Sequence, residues 1–191
     1  ALAGAPAAAQ ATADAVVRVG AKNFTEQEIL GELVAQAIER RTELEVERAL
    51  GLGGTDICHA ALLGGELDVY VEYTGTALLN VLRRPVIPNP WRAHRTVTAR
   101  YLDRFDLAWL PPIGFDNTYC LAVRRADAEA NDWWTISDLA ADAGGLRAGF
   151  TAEFMERPDG LPGLAERYEL AFTDTVDLEP GLMYGAVAAG Q

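Results

Sequence analysis

The chain has 191 residues, half of them apolar, with a mean hydropathy of +0.02, values that describe a globular chain and exclude a disordered tail. Its 16 Lys+Arg against 28 Asp+Glu leave a net charge of −12, the wrong sign for a phosphate backbone or an anionic membrane surface, so a nucleic-acid partner is not expected. The length admits one large domain or two smaller lobes.

In chain order, residues 1–15 are nearly all small and read as a flexible leader. Their Ala-x-Ala triplets look like the end of a secretory signal, which predicts export; an Ala-rich linker scar is the alternative. Residues 16–20 read as a strand, and residues 25–40 as a helix capped by Thr25, with Ile29, Leu33, Ala37 and Ile38 on its apolar face. A strand over 44–50, a helix over about 55–64 and a strand over 67–72 follow. This β-α-β-α-β order predicts a parallel sheet covered by helices.

Residues 74–106 read as mostly helical, interrupted by Pro85, Pro88 and Pro90, and residues 107–110 as a short strand before Pro111 and Pro112. Residues 118–124 read as a further strand and a natural hinge. Alternation then restarts: helix 136–143, strand 146–150, helix 160–168, strand 171–173, helix 180–190. The expected organisation is therefore a leader (1–15), a first lobe (16–114), and a hinge strand with a second lobe (115–191). No apolar run reaches the ~18 residues that a membrane span needs.

Several chemistries are excluded by scarcity. Ser137, the only serine, lies in Thr135-Ile136-Ser137-Asp138-Leu139, which reads as a helix cap and not as a nucleophile elbow. His59 and His94 lack metal-ligand spacing, so no metal is expected, and Cys58 and Cys120 form no Cys-x-x-Cys; they are either two free thiols or one disulfide. Gly51-Leu52-Gly53-Gly54-Thr55 lacks the lysine and spacing of nucleotide loops, so no cofactor is implied. No base, nucleophile or metal cluster emerges, and the chain does not read as an enzyme.

Four polar or aromatic segments fall where strands end, the place at which open α/β sheets bind ligands. They are residues 20–27, 71–76, 115–119 and 153–160. Taken singly, each also has a structural reading as cap, packing residue or surface charge.

Together these segments carry a resemblance. Lys22-Asn23-Phe24-Thr25-Glu26-Gln27, Gly53-Gly54-Thr55, residues 65–76 with Glu72-Tyr73-Thr74-Gly75-Thr76, Thr135-Ile136-Ser137-Asp138-Leu139, and Glu153-Phe154 with Arg157-Pro158-Asp159-Gly160 occur in that order. The chain from about residue 16 to 191 resembles the substrate-binding proteins of ABC transporters for glycine betaine, choline and carnitine.

The resemblance implies a two-lobed periplasmic-binding-protein type II fold of the α/β class. It also implies an extracytoplasmic receptor that captures a quaternary-ammonium osmolyte and hands it to an ABC permease. By that likeness Tyr73 and Tyr119 belong to an aromatic cage, while Lys22, Arg157 and the Thr76 hydroxyl grip a carboxylate. Asn117 sits near the cage, and Asn23 and Thr74, in the same segments, complete the ligand set. A quaternary ammonium has no N–H to donate, which is why aromatic faces select it.

The family's return into the first lobe and two further cage tyrosines lie beyond the point matched by Gln191, so the fold is expected to be C-terminally truncated. The open sheet edge would favour dimerisation or segment exchange. Tyr184, at helical spacing beside Leu182 and Val187, reads as core instead of cage. Alternative readings are the same fold with another cationic or zwitterionic solute such as an amino acid, or a module fused to a sensor or permease.

Overall fold

In the computed structural model, residues 16–191 are described; the leader expected over 1–15 lies outside them. The chain divides between Val71 and Glu72 into two compact units. The sequence instead drew a lobe boundary at 114/115.

The first unit is the expected β-α-β-α-β run. Strands β1 (Val16–Gly20), β2 (Glu45–Ala49) and β3 (Val69–Tyr70) form a parallel sheet in the order β2-β1-β3. Val19 pairs with both Arg48 and Val69. Helices α1 (Thr25–Arg41) and α2 (Thr55–Leu63) are the crossovers.

Strand β3 is much shorter than expected because Leu67 leaves the strand path to become core, 3% exposed. Asp68 is used as a tie: its carboxylate accepts from the Arg18 N–H at 2.7 Å and its own N–H donates to the Arg18 carbonyl at 2.9 Å. Gly20 is required at the end of β1, because a Cβ there would collide with the Leu67 side chain.

Two expectations for α1 fail. Its N-cap is Phe24, with no capping side chain, and Thr25 is the first helical residue. Its buried positions are Gln27, Leu30, Gly31 and Ala35, while Ile29 and Leu33 are 56% and 58% exposed. The reason is steric: α1 lies so close that a Cβ on Gly31 would stand 2.8 Å from Leu50 and 3.1 Å from Ala21. Small residues permit that approach, and the branched stripe is turned away. Beside that contact Arg48 of β2 grips α1 by two carboxylates, Glu32 at 2.7 Å and Glu39 at 2.7 Å.

The second unit begins with a single helical turn, α3 (Thr74–Thr76), running into a π-helical turn at Ala77–Val81. Helix α4 (Pro90–Phe105) is capped by Asn89, whose side chain accepts from the Arg92 N–H, with Pro90 at the first helical position. Ala77, Leu78 and Leu82 pack with Ala93, Val97 and Tyr101 into one core cluster.

The strand expected at 107–110 is irregular chain. Its alternation is nevertheless used, since Leu107 and Trp109 pack on that cluster and Trp109 meets Tyr101 edge-on at 5.3 Å between ring centroids. The hinge strand expected at 118–124 is likewise irregular and pairs with no strand among the described residues. Alternation without a neighbouring ladder does not make a strand.

Beyond it come α5 (Arg125–Asn131), not foreseen, and α6 (Ile136–Asp142), started by a capping box between Thr135 and Asp138. Strands β4 (Arg147–Phe150) and β5 (Asp174–Asp177) pair in parallel, joined through α7 (Ala152–Glu156) and α8 (Leu161–Tyr168). The last strand lies after the expected 171–173 because this stretch supplies packing: Leu170, just before it, is buried and Phe172 packs on Phe150. Helix α9 (Pro180–Ala189) buries no residue, and Tyr184, read as core, is 82% exposed.

Candidate functional site

The first unit brings two of the expected residues to the carboxyl ends of its strands. Lys22 follows β1 and is 3% exposed; its Nζ donates to the Thr55 hydroxyl at 2.9 Å. The Asn23 N–H donates to the Gly53 carbonyl at 3.1 Å, and Leu52 N–H to Ala21. The loop after β1 is thus fastened to the loop after β2, which holds the lysine in a buried, hydrogen-bonded position. A buried ammonium needs such partners, because desolvation otherwise disfavours the charge.

The second unit brings together three more, Thr76, Tyr119 and Arg157. Arg157 ends α7 and its side chain is 5% exposed. Nε and Nη2 donate in parallel to the two carboxylate oxygens of Asp159, at 2.6 and 3.0 Å. The carboxylate that Arg157 grips with two parallel bonds is therefore that of Asp159. Nη1 donates to the Tyr119 hydroxyl at 3.1 Å and lies 3.4 Å from the Thr76 hydroxyl and 3.5 Å from Glu153. Glu153 in turn accepts from the Asn80 amide at 2.7 Å, which ties the π-helical turn to α7.

This close assembly depends on Gly160, where a Cβ would collide with the Phe154 carbonyl. Burial pulls the Arg157 guanidinium down, but the Asp159 hydrogen bond and the charges of Asp159 and Glu153 outweigh it and hold the group above its ordinary value.

Tyr119 is 58% exposed although it stands in an irregular segment. Its ring rests on Phe154 at 4.7 Å, Phe154 stacks on Phe150 at 5.3 Å, and the Arg157 guanidinium carbon lies 5.4 Å from its centroid. Burial pushes its phenol upward, with the Arg157 charge as the opposing influence, so the hydroxyl keeps its proton. The local balance is two carboxylates, Glu153 and Asp159, against one guanidinium. An exposed aromatic face beside a net negative charge attracts a cation.

The other expected residues are placed as follows. Tyr73 is the N-cap of α3, with its N–H donated to its neighbour Glu72 at 2.7 Å; Thr74 opens that turn; both are half-buried. Asn117 is exposed in irregular chain.

Sequence reasoning passed over Asp159, Glu153 and Asn80 as site members. An acid near an arginine reads as a surface pair, and only the burial of Arg157 distinguishes this one. Cys120 is an exposed free thiol, not joined to the buried Cys58, and His94 pairs with the Leu110 carbonyl at 3.0 Å. Among the described residues no group of three His, Cys, Asp or Glu could hold a metal ion, and no helix is long and apolar enough to cross a membrane.

Residues 15–191 match the family model described as the substrate-binding domain of an ABC-type glycine betaine transport system. The chain belongs to that family.

It is 37% identical over 183 residues to the glycine-betaine-binding protein of Pseudomonas aeruginosa, covering 90% of this chain and 58% of that protein. It is 33% identical over 177 residues to the carnitine transport binding protein OpuCC of Listeria monocytogenes, covering 92% and 58%. A third family relative, the ergothioneine transport permease/ergothioneine binding protein EgtU of Helicobacter pylori, is 36% identical over 167 residues, or 87% of this chain and 30% of the relative.

Among solved structures, a glycine betaine/carnitine/choline ABC transporter crystal structure superposes with a TM-score of 0.64 at 28% identity, over 93% of this chain and 65% of that one. The α/β architecture expected from the sequence is thus the family's own. The chain spans little more than half the length of the two binding proteins.

Proposed function

We propose that the protein is an extracytoplasmic receptor for a quaternary-ammonium osmolyte, which it delivers to an ABC permease without performing chemistry. The observation that carries this reading is Tyr119, a ring 58% exposed whose hydroxyl accepts from Arg157, with the Arg157 guanidinium carbon 5.4 Å over the ring and Phe154 tilted against it, beside two carboxylates that outnumber that guanidinium. Such a face offers about 0.5–2 kcal/mol to a cation that cannot hydrogen-bond. A solute carboxylate, where present, would meet the Thr76 hydroxyl and the Nη1 side of Arg157.

Lys22, Asn23, Tyr73, Thr74 and Asn117 are proposed ligand residues from the resemblance, as are the lobes at 16–114 and 115–191. The family membership and the printed names of the relatives support the solute class. The relative named for ergothioneine, itself a trimethylammonium betaine of an amino acid, favours a second reading within the same charge class, a quaternary-ammonium solute other than an osmolyte.

The test is a calorimetric titration with glycine betaine, choline, carnitine, proline betaine and ergothioneine. A saturable signal from at least one of the first four is expected. Silence from all five with folded protein overturns the quaternary-ammonium reading, and a signal from ergothioneine alone keeps the quaternary ammonium but moves the solute from an osmolyte to a betainised amino acid.

A further inference from the structure

Charge is unevenly distributed along this chain. Residues 83–104 hold six arginines, Arg83, Arg84, Arg92, Arg95, Arg100 and Arg104, against one acid, Asp103, in a protein whose net charge is −12. Three of them, Arg84, Arg100 and Arg104, line a cavity of about 410 Å³ together with Leu82 and Asp103.

The fold builds this convergence from two directions. At the end of the π-helical turn the Leu82 N–H donates to Ala77, Arg83 takes a left-handed backbone with φ of 53°, and the Arg84 N–H donates back to Leu78 at 2.8 Å. A left-handed arginine is an uncommon conformation, and here it reverses the chain so that Arg84 reaches the cavity. Arg100 and Arg104 stand one turn apart on α4, beside its buried residues Val97 and Tyr101. Like charges at that spacing repel.

The internal compensation is slight. Asp103 lies 3.9 Å from Arg100 with both side chains more than half exposed, and Arg104 lies 5.1 Å from the Phe105 ring centroid. Three guanidinium groups against one carboxylate leave two positive charges over the buried Leu82 floor. Guanidinium forks match the oxygen pairs of phosphate and carboxylate groups.

We propose that this cavity binds a phosphate-type oxyanion carrying up to two negative charges. The phosphate comes from one of two sources, a soluble phosphorylated compound or an anionic lipid headgroup. The overall charge argues against a membrane surface, but a local excess of arginine acts over about a Debye length, roughly 10 Å, and is read by whatever touches it. The proposal stands independently of the solute reading, since none of these residues is a proposed solute ligand.

The experiment uses the full chain and two probes: sodium pyrophosphate against sodium chloride at matched ionic strength, by calorimetry and thermal shift, and cosedimentation with phosphatidylglycerol/phosphatidylcholine vesicles against pure phosphatidylcholine. Saturable pyrophosphate binding beyond the chloride control assigns a soluble phosphate. Cosedimentation with the anionic vesicles alone, with pyrophosphate silent, assigns a lipid headgroup.

In either case Arg100→Gln/Arg104→Gln weakens binding about tenfold or more, and Asp103→Asn tightens it. Because the three positions are exposed, the variants keep the wild-type circular dichroism. Absence of binding to both probes, or equal binding by the double variant, overturns the proposal. The glycine betaine titration is read separately on the same variants, so failure of one proposal is distinguishable from failure of the other.

Discussion

At the scale of single residues, the arginine and the tyrosine of the second unit exchange the roles that their chemistry first implies. Arg157 is nearly buried and spends its parallel N–H pair on Asp159, while Tyr119 remains more than half exposed. The cation is a fastening and the aromatic ring is the surface on offer. Truncating Tyr119→Ala is expected to weaken quaternary-ammonium binding by about 1–2 kcal/mol, roughly 5- to 30-fold, and Tyr119→Phe by much less, because the ring and its seat on Phe154 persist. Calorimetry on the two variants checks this; equal losses would make the hydroxyl, not the face, the binding element. Thr76, Tyr119 and Arg157 were singled out because they fall in the polar segments that carry the family resemblance, not because any one of them announces a site alone. Asp159 was not, since a carboxylate two positions from an arginine is ordinary on a surface, and no spacing reveals burial.

At the scale of elements, the strand signals were read well where a ladder partner exists and poorly where none does, while helix α9 fell within one residue of its expected place although it buries no residue. Strands β1, β2 and β4 and helices α1, α2, α4, α6 and α8 lie within a few residues of their expected places, because ladders and packed faces enforce the pattern. The face of α1 was misjudged because Gly31 and Ala35 allow an approach closer than any branched stripe could. The expected strands at 107–110 and 118–124 failed because alternation records only that every second residue is apolar; Leu107 and Trp109 meet that requirement by packing on Tyr101's cluster.

The clasp between α1 and β2 carries a pH consequence. Hydrogen bonds from Arg48 hold the Glu32 and Glu39 carboxyls below their ordinary range. Groups depressed in the folded chain contribute stability above their unfolded value, about pH 4.3, and lose it as pH falls through the folded values. Arg48→Met should therefore lower the melting temperature at pH 7 and flatten its acid dependence below about pH 4. Thermal melts across pH 2–7 measure both, and parallel curves for wild type and variant would remove the clasp from the acid response.

At the scale of the whole molecule, the net charge of −12 describes neither of the two places where charge does local work. The arginine-lined cavity of α4 is positive, and the Tyr119 surroundings are negative by one carboxylate. The expectation of no nucleic-acid partner follows from the sum, whereas the proposed solute and anion sites follow from where the residues fall.

The irregular, mostly exposed run from Asp106 to Arg124 has one more consequence, and it concerns proteolysis. Exposed irregular backbone is the form a protease cleft accepts; of the run's three aromatic chymotrypsin residues, Trp109 packs on Tyr101 while Phe115 and Tyr119 are at least half exposed. A solute resting on Tyr119 would shield one of them and leave the other cuttable. Digestion with and without glycine betaine, followed by mass spectrometry, should show cleavage after Tyr119 suppressed and cleavage after Phe115 retained. Unchanged cutting after Tyr119 at saturating solute would move the ligand off that ring. The same stretch that carries no regular structure thereby becomes an occupancy gauge within the protein's own sequence.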